Sequence, residues 1–468
     1  MSIVGSSSAV TIVAGLVRMK AVAMILGATG IGLLGLLQQA VAVASTLFGL
    51  GLRQSGTKEI AKAKSDESGH DLFVTRRALV LSTVILAVGG AATVFVIGLT
   101  LHVTRKSPPL TIVELAWISL AVAITIGANS QQALLNGLRQ VGSIGKSSVF
   151  AAIFATALAL LALFFARDFA IYLILIAAPL GSFLAGHWYV SRLPKIANQN
   201  TTNRELFRAF ATMAKLGAAI MAGTLVVGGG QLVVRFLIER ELGTIALGLF
   251  TSVWLISNYY ITFLYLAIVT DLFPKLSEAQ GDHSEIRLLI NEQSGLCLMA
   301  AAPIFIITGT LAPYLLIVLY DKAFAAAALL LGMFVLGDAM KVMVLPLQFA
   351  LLANGNSRQH LFIATCGTST FVAVSALLMG QYALLGLGIA YVAMHALEFA
   401  LSLIWNRKLF SFRYDAHLAI ALTIFWTGLA AFVGFRAWTN PVGITIGLVL
   451  FAVSSAFFLH RFLLAHRS

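Results

Sequence analysis

The sequence predicts an all-α integral membrane protein, a bundle of about fourteen transmembrane helices. Three observations carry that expectation. Of the 468 residues 59% are hydrophobic and only 10% are charged, with a mean hydropathy of +0.94, a composition no water-soluble fold could cover with polar surface. Apolar stretches repeatedly reach the roughly 20 residues that cross a hydrocarbon core of about 30 Å. Short polar segments separate them, and the stretches are continuous rather than alternating, which excludes a membrane β-barrel.

Taken in order, the first six spans are expected over 3–17, 29–51, 78–100, 110–129, 148–166 and 169–190. The next eight follow over 210–234, 244–270, 293–318, 324–352, 360–379, 383–405, 417–435 and 442–460. The first apolar run lacks a small-residue cleavage site and leads straight into the second, so it reads as a retained helix. The inner segments 52–77, 191–209 and 271–292 are longer and polar, and the last two are expected to hold short interfacial helices.

Orientation follows from the basic residues. With the N-terminus in the cytoplasm, most of the 31 Lys and Arg fall on the inner side, among them Arg76, Arg77, Lys195, Arg407, Lys408, Arg413 and Arg467. The outer side holds fewer, including Arg105, Lys106, Arg167, Arg240, Lys322 and Arg436. This bias places both termini in the cytoplasm. The net charge of +13 is scattered among loops and forms no stripe beside aromatics, so it indicates contact with anionic lipid and no nucleic acid.

Two pieces of the first half recur in the second. Ala133-Leu-Leu-Asn-Gly-Leu-Arg139-Gln140 follows the fourth span, and Ala350-Leu-Leu-Ala-Asn-Gly-Asn-Ser-Arg358-Gln359 follows the tenth. Lys58-Glu59-Ile60-Ala61 and Lys275-Leu276-Ser277-Glu278-Ala279 follow the second and eighth spans at nearly the same interval. Six spans separate the copies, so the repeats share an orientation. Two parallel, pseudo-symmetric six-helix lobes are expected, over 1–209 and 210–412, with two extra helices and a tail over 413–468. Two such halves around a central cavity form a transporter architecture, for which a monomer is the simplest assembly.

No outer segment is long enough for a catalytic domain, so function must lie between the helices. A membrane-embedded glycosyltransferase or polymerase, which needs a sizeable outer loop with carboxylates, does not fit. The nine histidines form no HxxxH or HExxH, Cys297 and Cys366 form no CxxC, and no GxSxG elbow presents a nucleophile. Neither enzymatic activity, nor a cofactor, nor a metal is expected.

Ionisable groups inside spans are costly and become the candidates by default. Asp338 and Lys341 in the tenth span are three apart on one helix face. Either they neutralise each other, or Lys341 faces the cavity as a cation for an anionic ligand with Asp338 fixing its position. In the seventh span Lys215 and Arg235 lie near opposite ends, as ligand cations or as side chains reaching for headgroups. Gly228-Gly229-Gly230 between them interrupts the helix and invites a bend, or serves close packing. Arg18 and Lys20, where the first span meets the outer face, are ligand contacts or interfacial anchors. Trp254, Tyr259, Tyr260 and Tyr265 in the eighth span serve sugar stacking or packing. Only Glu114, Asp338 and Glu398 supply acid within spans, which favours an anionic ligand. If a cation-coupled multidrug exporter were the answer instead, those three would be its essential groups.

Three stretches resemble the Wzx-type lipid-linked oligosaccharide flippases of the polysaccharide transporter group, in the superfamily that also holds multidrug and toxin extrusion proteins and the lipid II flippase. Arg18-Met19-Lys20 followed by Gly27-Ala28-Thr29-Gly30-Ile31-Gly32 resembles the basic residue and glycine turn between spans one and two. Leu272-Phe273-Pro274-Lys275-Leu276-Ser277 and Leu336-Gly337-Asp338-Ala339-Met340-Lys341 are similar to motifs after span eight and within span ten. Ala28-Thr29 replaces the usual proline. The likeness runs in order over nearly the whole chain. It implies fourteen spans in two lobes and a cationic cavity facing the pyrophosphate or acidic sugars of an undecaprenyl-pyrophosphate-linked repeat unit. It also implies alternating access from cytoplasmic to periplasmic leaflet, in surface polysaccharide (O-antigen, lipopolysaccharide) biosynthesis, with a polysaccharide polymerase as a compatible partner.

Overall fold

The computed structural model describes residues 2–64, 69–103, 111–194 and 200–465. These form thirteen α-helices and three short 3-10 turns, with no strand among the described residues. The helices are α1 (Ser2–Phe48), α2 (Leu52–Ala63), α3 (His70–Val103), α4 (Ile112–Gly137), α5 (Val141–Phe165), α6 (Ala170–Ser191) and α7 (Asn203–Glu278). They continue with α8 (His283–Thr310), α9 (Ala312–Leu319), α10 (Ala328–Ala353), α11 (Ser357–Phe410), α12 (Ala416–Gly434) and α13 (Pro441–Ala465). Arg105, Lys106, Lys195 and Arg467 of the expected charge asymmetry lie outside the described residues.

Eleven of these helices are long and apolar enough to cross a membrane. Three of the eleven, α1, α7 and α11, each turn once at a single non-helical residue, Gly27, Gly243 or Ala383, so each supplies two crossings and the total is fourteen. Gly27 and Gly243 fall between spans expected from hydropathy, and Ala383 falls on the first residue of the expected twelfth span. Large side chains such as Ile85 (70% exposed) and Leu377 (73%) point outward, the arrangement expected when lipid tails replace water as the solvent.

Helix starts are set by local chemistry. Thr111 and Glu114 form a reciprocal capping box at α4, the Glu114 carboxylate accepting from the Thr111 amide at 2.7 Å. Thr202 and Glu205 build the same box one residue before α7. Asp282 caps α8 through the amides of Ser284 and Glu285. Because these caps lie well before the apolar runs, α7 and α8 begin earlier than 210 and 293 and absorb residues expected to be separate interfacial helices. The separate short helix is α2, in the inner segment after the second span. The expected ninth span is also broken: α8 stops at Thr310 and α9 restarts with Pro313 in its first turn, where a missing N–H is tolerated.

The six-span repeat is visible in the backbone. Gly27 (φ 66°, ψ −162°) and Gly243 (φ 83°, ψ 172°) turn the chain in nearly the same conformation, one that only glycine adopts without strain. At the same sequence interval, α4 and α10 end in the same hydrogen-bonded motif. Arg139 and Gly355 occupy the left-handed region at φ 58° and 78°. The Gln140 amide donates to Leu135 O at 2.9 Å, and the Asn356 amide donates to Leu351 O at 2.8 Å. The structural register therefore pairs Arg139 with Gly355 rather than with Arg358, three residues away from the sequence match.

Contacts divide the chain into two compact units, Met1–Leu232 and Val233–Ser468. The boundary lies inside α7 because the first half of that helix is tied to α1 and α2. The Gln39 amide donates to Gly228 O at 2.9 Å, and Gly217 lies so close to Leu50 and Gly51 that a Cβ would strike the Leu50 carbonyl. In this unit Leu52, Ile60, Leu79, Leu134 and Met213 form a buried apolar cluster that seats α2 on α3, α4 and α7.

Candidate functional site

The second unit is organised around a carboxylate. Asp338 on α10 is fully buried. Its Oδ2 accepts from Ser257 Oγ at 2.7 Å and from the Tyr260 hydroxyl at 2.5 Å, and its Oδ1 accepts from the Tyr391 hydroxyl at 2.7 Å. Two donors come from the second half of α7 and one from the second half of α11, so the carboxylate pins three segments together. The preceding residue permits this: a Cβ on Gly337 would lie 2.6 Å from a Tyr391 ring carbon, and only glycine lets the ring lie flat against α10. Tyr391 then stacks on Phe334 with centroids 3.9 Å apart and planes within 2°.

Around this carboxylate lies an aromatic cluster of Phe250, Trp254, Phe334, Phe371 and Tyr391. Arg235, near the end of the seventh span, is only 4% exposed. Its guanidinium lies over the Trp254 ring at 5.0 Å and near the Phe250 ring at 5.7 Å. A desolvated cation on an aromatic face is worth about 2 kcal/mol, which offsets part of the several kcal/mol that burying the charge costs. Arg235 and Asp338 thus belong to one cluster, with Trp254 and Tyr391 between them. Trp254 and Tyr260 serve this packing, and Tyr265 packs on Phe349 at 5.5 Å.

The other basic candidates are placed differently. Lys341 is half-buried one turn beyond Asp338 and forms no ion pair with it among the described residues. The Asp338 oxygens are already engaged by hydroxyls, which is the physical reason the i, i+3 pairing is not made. Arg18 and Lys20 are half-buried in α1 and Lys215 is exposed on α7, all three in the first unit. Gly228-Gly229-Gly230 remains helical, contrary to the expected interruption, and the break in α7 falls at Gly243. The Gln39 bond to Gly228 supports the helix where three glycines would weaken it.

The remaining acids are also engaged. Glu114 is used by its capping box. Glu398 contacts His395 Nδ1 at 2.8 Å, with side-chain exposures of 15% and 4%. Ser257, Tyr391 and His395 are site residues the sequence reading passed over. Tyr391, His395 and Glu398 do recur at helical spacing along one face, a signal present in the sequence.

The first unit holds a polar cavity of about 130 Å³ lined by Ser45, Arg53, Gln54, Thr83, Asn129 and Ser130, among others. Thr83 donates to Ser130 at 2.8 Å across it. Hydroxyl and amide groups with one arginine suit a neutral or anionic polyol better than a lipid tail. Outside the membrane segments, Asp271 at 2.9 Å raises the Lys275 ammonium above its ordinary value, mainly through their hydrogen bond. Asp282 is held below the usual carboxylate range by the Ser284 hydroxyl and by the Glu285 and Ser284 amides.

Fourteen crossings in two units, with an equivalent glycine turn in each and no extramembrane domain among the described residues, define a polytopic membrane fold. Over 99% of this chain and 100% of the other, the structure is similar to the lipid II flippase MurJ in an inward closed conformation, at TM-score 0.69 and 12% identity. It is also similar to an inward-facing multidrug resistance MATE family transporter of the MOP superfamily, at TM-score 0.63 and 17% identity, covering 86% of this chain and 94% of that one. A third likeness is to a MOP superfamily transporter from Pyrococcus furiosus Vc1 (DSM3638), described as having a binding pocket of reverse polarity that suggests a different function. There the TM-score is 0.55 and the identity 17%, over 86% and 95% of the two chains. No curated protein sequence matches the chain. The family is nonetheless defined by sequence: residues 2–280 match the polysaccharide biosynthesis protein family, and the chain belongs to it.

Proposed function

We propose that this protein is a flippase that carries undecaprenyl-pyrophosphate-linked oligosaccharide repeat units from the cytoplasmic to the periplasmic leaflet by alternating access. The observation that carries this reading is the state of the charges. The three intramembrane acids a cation exporter would need are each committed locally: Glu114 to a helix cap, Asp338 to three hydroxyls and Glu398 to His395. Basic side chains at Arg18, Lys20, Lys215 and Lys341 retain partial or full exposure, and Arg235 adds a cation held on aromatic faces. In each unit taken by itself, this balance of basic over uncommitted acidic groups offsets the cost of withdrawing a pyrophosphate from water, while the polyprenyl tail stays in lipid. The hydroxyl-rich cavity of the first unit supports a sugar headgroup.

In this reading the two units work as lobes of a monomer in the bacterial inner membrane, with both termini cytoplasmic and a polysaccharide polymerase downstream. The test is the sidedness of lipid-linked repeat units in cells depleted of the protein and complemented with Lys341→Ala or Arg235→Ala. Single units should accumulate on the cytoplasmic leaflet on depletion and in both variants. Full transport by both variants at normal expression would overturn the cationic site, and unchanged lipid intermediates on depletion would overturn the flippase reading. The exporter alternative would instead show lost drug resistance on depletion with unchanged lipid intermediates.

A further inference from the structure

The transport reading gives no role in the transport cycle to a buried His–Glu pair in the second unit. His395 and Glu398 lie one turn apart on α11, with Nδ1 and Oε2 2.8 Å apart. Glu398 is wedged against the first half of the same helix, where a Cβ on Gly367 would fall 2.6 Å from its Cγ. The His395 and Tyr391 rings meet edge to face with centroids 4.6 Å apart, and the Tyr391 hydroxyl donates to Asp338. His395 Nε2 is buried with no hydrogen-bond partner among the described residues.

These features bear on charge. With a neutral imidazole donating from Nδ1 to an ionised Glu398, the pair carries net charge −1 in a membrane interior, and Nε2 presents a bare lone pair. Taking one proton from water onto Nε2 turns that lone pair into an N–H and leaves imidazolium beside carboxylate, net charge zero. Burial favours the neutral state, because an uncompensated charge in this setting costs several kcal/mol. A metal cation would need a shell of several oxygens, and no group of three or more His, Cys, Asp or Glu is placed to hold one among the described residues.

We propose that the His395–Glu398 pair is a proton-binding site of the second unit, loaded when the pair is enclosed and emptied when water reaches it. Whatever the cargo, such a site lets a proton gradient bias one conformation of this unit over another. The charged and titratable groups facing it are His360, from the first half of α11 and within range of the Glu398 charge, Tyr391 beside it, and Asp338 on α10, reached through Tyr391.

The test is hydrogen exchange across the 385–402 segment of the purified protein in lipid nanodiscs, corrected for intrinsic rate, at a series of pH values from about 5 to 8, where histidine-centred sites titrate. Wild type is expected to show a sigmoidal change in protection of roughly tenfold or more, which is one proton's bias expressed as an equilibrium shift. Glu398→Gln and His395→Gln are expected to lose it, and His360→Gln and Asp338→Asn to retain it. Two variants are used so that misfolding of one leaves the other decisive. A folded wild type with flat protection overturns the site, as does an unchanged transition in either pair variant, or loss of the transition only in Asp338→Asn or His360→Gln.

Discussion

Replacing Asp338 by alanine strips three buried hydroxyls, on Ser257, Tyr260 and Tyr391, of their shared acceptor. An unsatisfied buried polar group costs about 1–3 kcal/mol, while release of the carboxylate's own desolvation and re-pairing among the hydroxyls, whose Ser257 and Tyr391 oxygens are already 3.4 Å apart, offset part of that. The expected net loss is about 3 kcal/mol. For a unit of this size that lowers the unfolding midpoint by about 6–12 °C. The assay is intrinsic fluorescence unfolding in nanodiscs, where Trp254 reports on the cluster. Double-mutant cycles then decide which partner matters. Asp338→Asn with Tyr391→Phe should show coupling of about 1 kcal/mol, within the range seen for hydrogen bonds inside membranes. Asp338→Asn with Lys341→Met should be additive to within about 0.5 kcal/mol. An Asp338→Ala variant within about 1 kcal/mol of wild type, or Lys341 coupling as large as that of Tyr391, would refute the hydroxyl-held carboxylate and restore the ion pair.

Other consequences follow from single positions. Gly217→Ala drives a Cβ into the Leu50 carbonyl and should destabilise the first unit by about 2–3 kcal/mol, read as loss of folded protein after a heat step; tolerance of alanine there would contradict the close approach of α7 to the α1–α2 turn. Gly337→Ala should push Tyr391 off α10 and phenocopy much of Tyr391→Phe, with stability loss of about 1–3 kcal/mol by the same assay. Arg235→Lys keeps the charge but loses the planar contact with Trp254, so repeat-unit transport should fall although membrane expression holds; full activity would show that charge alone suffices. Asp282 has a folded value below its unfolded one, so its stabilisation of α8 is present above the unfolded carboxylate value of about 3.9 and is lost as pH falls through the lower folded value. Hydrogen exchange in the first turn of α8 should quicken on acidification through that window and be insensitive to it in Asp282→Ala.

Much of the architecture was legible in the sequence because bilayer thickness imposes one length on every crossing. Fourteen apolar runs and the glycine turn at Gly27 are local features that need no knowledge of neighbours. The inventory of rare intramembrane charges was equally local, and so were the residues that became candidates. What only the tertiary structure decided is which of those charges are spent. Asp338 draws its donors from Ser257 and Tyr391, far away in the chain, and that choice depends on how each helix is rotated about its axis. Helices apolar on nearly all sides carry little periodic signal to fix that rotation, so the sequence left Asp338 beside Lys341, either neutralising it or fixing it toward the cavity. Packing supplied a third answer, since a glycine at 337 and a tyrosine at 391 place a hydroxyl where the carboxylate needs one.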